Sequence, residues 1–164
     1  MYLFKLERRS SPISGSGVFV LEPIPRGALV IAAPTIMGKQ VTDEGTAKRL
    51  FELSEHAGAD PFLRVFHRSC IRLVGRHFSF SDELIDTDYL NHSFDSNLLF
   101  AFAHCVARRD IAVGEELTID YRLVLPEGDS IGNDDVTGRP ISGLSGVEVI
   151  RTVCRELESI FARA

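Results

Sequence analysis

Apolar residues in this chain come in short runs broken by glycine, proline and charge, a pattern that predicts many brief strands and few helices. Val18 to Leu21 and Ala28 to Ala32 are strand-like, and Glu22-Pro23-Ile24-Pro25-Arg26-Gly27 separates them. Two prolines and a glycine predict a tight connection there, with the flanking runs forming a β-hairpin or meander. Ala47, Leu50, Phe51 and Leu53 recur at helical spacing behind Thr42 and Asp43, either able to cap, so a short helix is expected from Thr42 to His56. Ile71 to Val74 and His77 to Phe80 read as strands turned at Gly75-Arg76. Asn97 to Ala103 is apolar without alternation, which suits a buried strand, and His104 to Arg108 continues it or pairs with it. Glu116 to Tyr121 alternates Leu117, Ile119 and Tyr121 against Glu116, Thr118 and Asp120, the signature of a half-buried strand.

The stretch from Pro126 to Gly146 is rich in Gly, Asp, Asn, Ser and Pro and is expected to be a loop or flap. From Ser145 or Gly146 to Arg163, Val149, Ile150, Val153, Leu157, Ile160 and Phe161 form one face of an amphipathic helix. The expected class is mostly β with short helices: a domain over 1–122, an acidic Gly-rich loop over 123–144, and a C-terminal helix over 145–164 packing on the same domain. That helix face reads as core, with homodimerisation through it as the lesser reading.

With 164 residues, 45% of them hydrophobic and 25% charged, one substantial core is available. A formal charge of -5 argues against nucleic acid, whose non-specific binding needs clustered Lys and Arg, and suits a cationic partner. Cys70, Cys105 and Cys154 stand apart with no CxxC pair, so they read as reduced and structural, and no metal site is expected. His56, His67, His77 and His104 have no ligand spacing and receive no role. Met1 to Arg9 meets charge before an apolar stretch can build, and no run elsewhere would span a bilayer, so a cytoplasmic protein without membrane contact is expected, or a nuclear one in a eukaryote.

Three separated motifs then stand in a telling order. Gly15-Ser16-Gly17-Val18-Phe19 is followed by Ile24-Pro25-Arg26-Gly27; Tyr89-Leu90-Asn91-His92-Ser93 runs on to Asn97; and Arg109 to Tyr121 contains Gly114-Glu115-Glu116-Leu117-Thr118-Ile119-Asp120-Tyr121. Each alone is an ordinary turn or strand. Together, over roughly residues 12 to 122, they resemble the SET-domain lysine methyltransferase family. The resemblance implies several short β-sheets with a knot-like C-terminal threading, S-adenosylmethionine as cofactor, and methyl transfer to an amine. It further implies that Ser14, Gly15, Ser16, Gly17, Asn91, His92 and Tyr121 hold the donor, with the glycines letting backbone approach it. His92 is then scaffold rather than base. Tyr121 becomes the catalytic residue, orienting amine and sulfonium.

On the acceptor side the chain departs from that family. Where a channel tyrosine is common, this sequence has Ile31-Ala32-Ala33-Pro34-Thr35-Ile36-Met37-Gly38. Two residues before Tyr121 stands Ile119 instead of an aromatic, so Ile119 and Phe100 are expected to wall the substrate channel. After Tyr121 no Cys-x-Cys pattern of a zinc site appears, and the loop from Pro126 with the C-terminal helix is expected to close the cofactor pocket or pair with another subunit. Glu127, Asp129, Asp134 and Asp135 on that loop read as a solvated surface, or else as attraction for a basic peptide or polyamine. Three functions therefore stand open: methylation of protein lysines, methylation of a small free amine, and a non-catalytic interaction module.

Overall fold

A computed structural model describes residues 2–32, 40–56, 65, 69–81, 84 and 86–162. Their strands form four small sheets, joined by two helices of eight or more residues, so the molecule is mostly β as expected. The largest sheet has the order β1-β2-β10-β7, from β1 (Leu6–Ser10), β2 (Ser16–Val20), β10 (Glu116–Ile119) and β7 (Asn91–His92). β1 and β2 form a hairpin with Arg8 opposite Val18. β10 then runs antiparallel to β2 and parallel to β7, with Thr118 beside Asn91.

β1 was not expected, because Leu-Glu-Arg-Arg-Ser shows no apolar alternation. Its arginines lie over rings instead, Arg8 4.3 Å from the centroid of Tyr89 and Arg9 3.9 Å from that of Phe19.

The hairpin or meander expected from Val18–Leu21 and Ala28–Ala32 does not form between these two runs; β2 pairs with β1 and β10 instead. β3 (Leu29–Ile31) leaves for a second sheet of order β3-β9-β8, with β9 (His104–Ala107) and β8 (Leu98–Ala101). The proline-rich connection is drawn across the molecule, where Ile24 exchanges backbone hydrogen bonds of 3.0 and 2.8 Å with Ile111 and Gly27 N–H reaches Ala107 O. The buried run expected over Asn97–Ala103 ends at Ala101, because Phe102 (φ 51) and Ala103 (φ 66) make a tight turn into β9. Such turns normally use Asn or Gly, so nothing in Phe-Ala announces one.

The third sheet, β4-β6-β5, comprises β4 (Gln40–Asp43), β6 (His77–Phe80) and β5 (Ile71–Val74), the last two joined through Gly75 as expected. Thr42 belongs to β4, and helix α1 (Glu44–His56) starts behind Asp43, whose Oδ1 accepts the Thr46 N–H at 3.0 Å. The supposed loop after Tyr121 carries a further hairpin, β11 (Ser130–Asn133) with β12 (Pro140–Ser142). Gly143 there passes so close that a Cβ would lie 1.9 Å from Pro126 O.

Helix α2 (Gly146–Phe161) begins at a capping box in which Ser145 Oγ accepts the Glu148 N–H and Glu148 Oε2 accepts the Ser145 N–H. Val149, Val153 and Ile160 are buried against Leu99, Val106 and Leu123, whereas Ile150 and Phe161 are exposed, so the packed face is narrower than the sequence suggested. The Arg108–Glu156 ion pair, 2.7 Å, fastens the helix to the strands. The main core lies under the first two sheets, and a second cluster joins α1, β6, Leu125 and Ile141. Tyr121 packs against both. No described helix is long and apolar enough to cross a membrane.

Candidate active site

Three segments distant in sequence meet where β10 lies between β2 and β7. The β1–β2 turn is organised by Ser11, whose Oγ accepts N–H bonds from Ile13 (2.9 Å) and Ser14 (3.3 Å), while Gly15 takes φ +49. From β7, the Asn91 amide nitrogen lies 3.1 Å from both Ser14 O and Ser16 O, 3.0 Å from Ser11 Oγ and 2.7 Å from Glu116 Oε1. All four are acceptors, which fixes the amide orientation and leaves Oδ1 for other partners. The next motif asparagine, Asn97, accepts from Thr118 N–H at 2.9 Å and donates to Glu116 O at 2.8 Å, knitting the chain after β7 onto β10.

His92 Nδ1 accepts the Tyr121 N–H at 3.1 Å. The imidazole is therefore neutral, with its proton on Nε2, and that atom is buried with no hydrogen-bond partner among the described residues. Burial holds the His92 pKa below the ordinary 6.5, with Asp120 and Asp134 pulling weakly the other way. Its ring meets Phe94 edge-on at 4.6 Å and lies 5.4 Å from that of Tyr121. Tyr121 opens a 3-10 turn capped by Asp120, and its hydroxyl donates to Leu90 O at 2.7 Å.

Beside these groups lies a cavity of about 510 Å³, a size that suits a small-molecule site. Ser14, Gly15, Ser16 and Asn91 supply a polar wall; Cys70, Ile71, Val124, Leu125 and Ile131 supply an apolar one. Leu90, Ile119 and Tyr121 also line it, as does Asp88. Of the residues expected at the site, Ser14, Gly15, Ser16, Asn91, Ile119 and Tyr121 thus come together.

The other three sit elsewhere. Gly17 is not a lining residue: a Cβ there would fall 2.1 Å from Glu116 Oε1, so its bareness makes room for that carboxylate. Phe100 is 7% exposed and packs in the main core, away from the cavity lining, because the β8 side chains are all buried. His92 stands behind the wall, bracing the Tyr121 backbone. The departure at Ala33 to Gly38, like His67, falls outside the described residues.

Other expectations shift as well. Thr118 and Asp120 do not face water, being 7% and 4% exposed; the Asn97 N–H donates to Thr118 Oγ1 and Arg122 to Asp120. Ile131 brings the β11–β12 hairpin to the cavity, but no residue of α2 lines it. Asp134 is buried and accepts from Thr137 N–H and Oγ1, so it holds its own turn rather than meeting solvent.

Sequence reasoning missed what anchors the apolar wall. Arg72 on β5 and Glu44 on α1 form a buried ion pair of 3.3 Å. Arg72 also donates to Leu125 O (2.7 Å), Leu144 O (3.0 Å) and Gly75 O. Burial alone would raise the Glu44 carboxyl pKa, yet the Glu127 N–H and Arg72 together hold it below its ordinary value. A lone arginine in an amphipathic run carries no signal of such a hub.

The SET domain family model matches residues 15–122, which contain all three motifs. No curated protein matches the chain.

Proposed function

The chain belongs to the SET-domain family, and from that premise we propose that it transfers the methyl group of S-adenosylmethionine to the side-chain amine of lysine in a basic protein or peptide. The observation carrying this reading is Tyr121, which lines the cavity together with Asn91 and whose hydroxyl is held by Leu90 O.

The cavity fits the donor in size and in its polar groups. Ser14, Gly15 and Ser16 through their backbone, Asn91 through Oδ1, and Tyr121 would hold it. When bound, S-adenosylmethionine supplies a methyl group on a positive sulfonium. Transfer to nitrogen is an in-line displacement, so the protein's task is alignment and exclusion of water. The Tyr121 hydroxyl donates its proton to Leu90 O, so toward an amine N–H or a polarised methyl it would act as an acceptor. Neutralising a lysine at pH 7 costs about 4–5 kcal/mol from its free pKa. The apolar wall lowers that cost by disfavouring the ammonium form, and water takes the proton.

A small polyamine is the second reading, favoured by Asp88, the one carboxylate among the described lining residues. Incubation with methyl-labelled S-adenosylmethionine, basic peptides and polyamines tests the proposal. Label on lysine is expected; label only on polyamines replaces the acceptor, and donor binding without transfer to any amine makes the chain a non-catalytic module.

A further inference from the structure

The carboxylate of Glu116 has no part in the chemistry above, yet it accepts from both side chains that organise the donor wall, Ser11 and Asn91. Ser11 Oγ lies 2.9 and 2.8 Å from its two oxygens, and Asn91 Nδ2 lies 2.7 Å from Oε1. Among the described residues it meets no cation; hydroxyl and amide donors alone satisfy it. We propose that Glu116 is a positioning residue for the donor site, a charged pin that sets the Ser11 hydroxyl and the Asn91 amide and, through them, the Ser14–Ser16 wall. The inference rests on the methyl-transfer reading.

The argument turns on proton direction. The Ser11 oxygen receives N–H bonds from Ile13 and Ser14, and Asn91 Nδ2 lies 3.0 Å away. A hydroxyl that accepts from the turn must send its own proton elsewhere, and Glu116 is its acceptor. Both Asn91 amide hydrogens are likewise drawn toward Glu116 and the turn carbonyls, which leaves Oδ1 as the group for a ligand. A carboxylate suits this place because it only accepts, through two oxygens, and its charge strengthens each bond. The chain makes room for it at Gly17, where a Cβ would strike Oε1. The glycine nearest the pin therefore serves Glu116, and Gly15, with nothing within 4 Å of its Cβ position, serves the turn through its positive φ.

Calorimetric titration with S-adenosylmethionine, thermal melting and NMR of the Asn91 side-chain amide test the proposal on the full chain. Glu116→Ala should raise the donor Kd about tenfold, the scale of one charge-assisted hydrogen bond, and Glu116→Gln, which keeps one acceptor, should recover most of it. Gly17→Ala should weaken binding similarly by displacing Oε1, and Gly17→Ala combined with Glu116→Ala should be no weaker than Glu116→Ala alone. Slow exchange of the Asn91 amide hydrogens should be lost in step. Wild-type affinity in Glu116→Ala overturns the proposal, as does Glu116→Gln binding as poorly as Glu116→Ala. If Glu116→Ala unfolds, Ser11→Ala, which removes only the hydroxyl, must still weaken the donor, and unchanged affinity there is equally fatal. Failure of the wild type to bind S-adenosylmethionine would instead defeat the methyl-transfer reading. The pin would then stand or fall on the Asn91 exchange.

Discussion

The two walls of the cavity are held by different physics. The polar wall is fixed by directed bonds: Asn91, Ser11 and Glu116 specify one another through donors and acceptors 2.7–3.0 Å apart. The apolar wall is fixed by packing of Cys70, Leu125 and Ile131 against the second core, behind the Arg72–Glu44 pair. Directed bonds demand particular residues at particular places, whereas packing accepts many residues of similar volume. One wall is therefore written as a motif, and the other is assembled from residues with no signature.

The severest way to break the comparison is Arg72→Ala. It removes the donor to the Leu125 and Leu144 carbonyls and leaves the buried Glu44 with the exposed Arg76 and the Glu127 N–H, and a loss of about 3 kcal/mol in urea denaturation is expected. A cost under ~1 kcal/mol would mean that packing alone holds the apolar wall.

Tyr121→Phe acts where the polar and apolar walls both have contact. It should lower kcat on the order of 10²-fold while donor Kd changes far less, because the hydroxyl acts on transfer more than on holding. Steady-state rates beside calorimetry decide this; equal losses in both would make Tyr121 a binding residue.

Acid should separate the walls in order. With its folded pKa below 6.5, His92 contributes stability that is fully present above that value and is lost as pH falls toward its folded pKa, since the unfolded chain takes the proton first. Glu44, held below 4.5 in the fold, contributes above 4.5 and is lost only as pH falls through its lower folded pKa. Denaturation curves between pH 7 and pH 5 should thus fall more steeply for the wild type than for His92→Asn; parallel profiles would remove His92 from the braced site.

The smallest effect is expected from Ile131→Ala, about 1 kcal/mol in stability and under threefold in donor Kd, because a half-buried hairpin residue has neighbours that can close over it. A larger change in affinity would show that the hairpin grips the ligand directly.

The same division explains what the sequence could reveal. Asn91, Gly15 and Tyr121 stand out in the sequence because the bonds of Asn91 and Tyr121 and the positive φ of Gly15 require those residue types, whereas Ser14 and Ser16 offer Asn91 only backbone carbonyls. Gly17 was read as a close approach to the donor; the atom that a Cβ there would meet belongs to Glu116, 99 positions later, which spacing could not show. Glu116 was taken for the wet side of an alternating strand, because alternation cannot tell a central strand with polar partners from an edge. Phe100 was placed by analogy of position, and the core claimed it. β11 and β12 were hidden by a loop-like composition, and β1 by charge, because rings elsewhere in the fold receive its arginines.

The strand order has a consequence in time. β10 follows β2 and β7 in the chain but lies between them in the sheet. With neighbouring strands about 4.8 Å apart, β2 and β7 face each other across a gap one strand wide until β10 arrives. A chain emerging from synthesis has both polar-wall strands but no wall before Glu116 to Ile119 enters. Pairings over such sequence distances form slowly, so the sheet and the polar wall depend on the same late-synthesised strand for their completion.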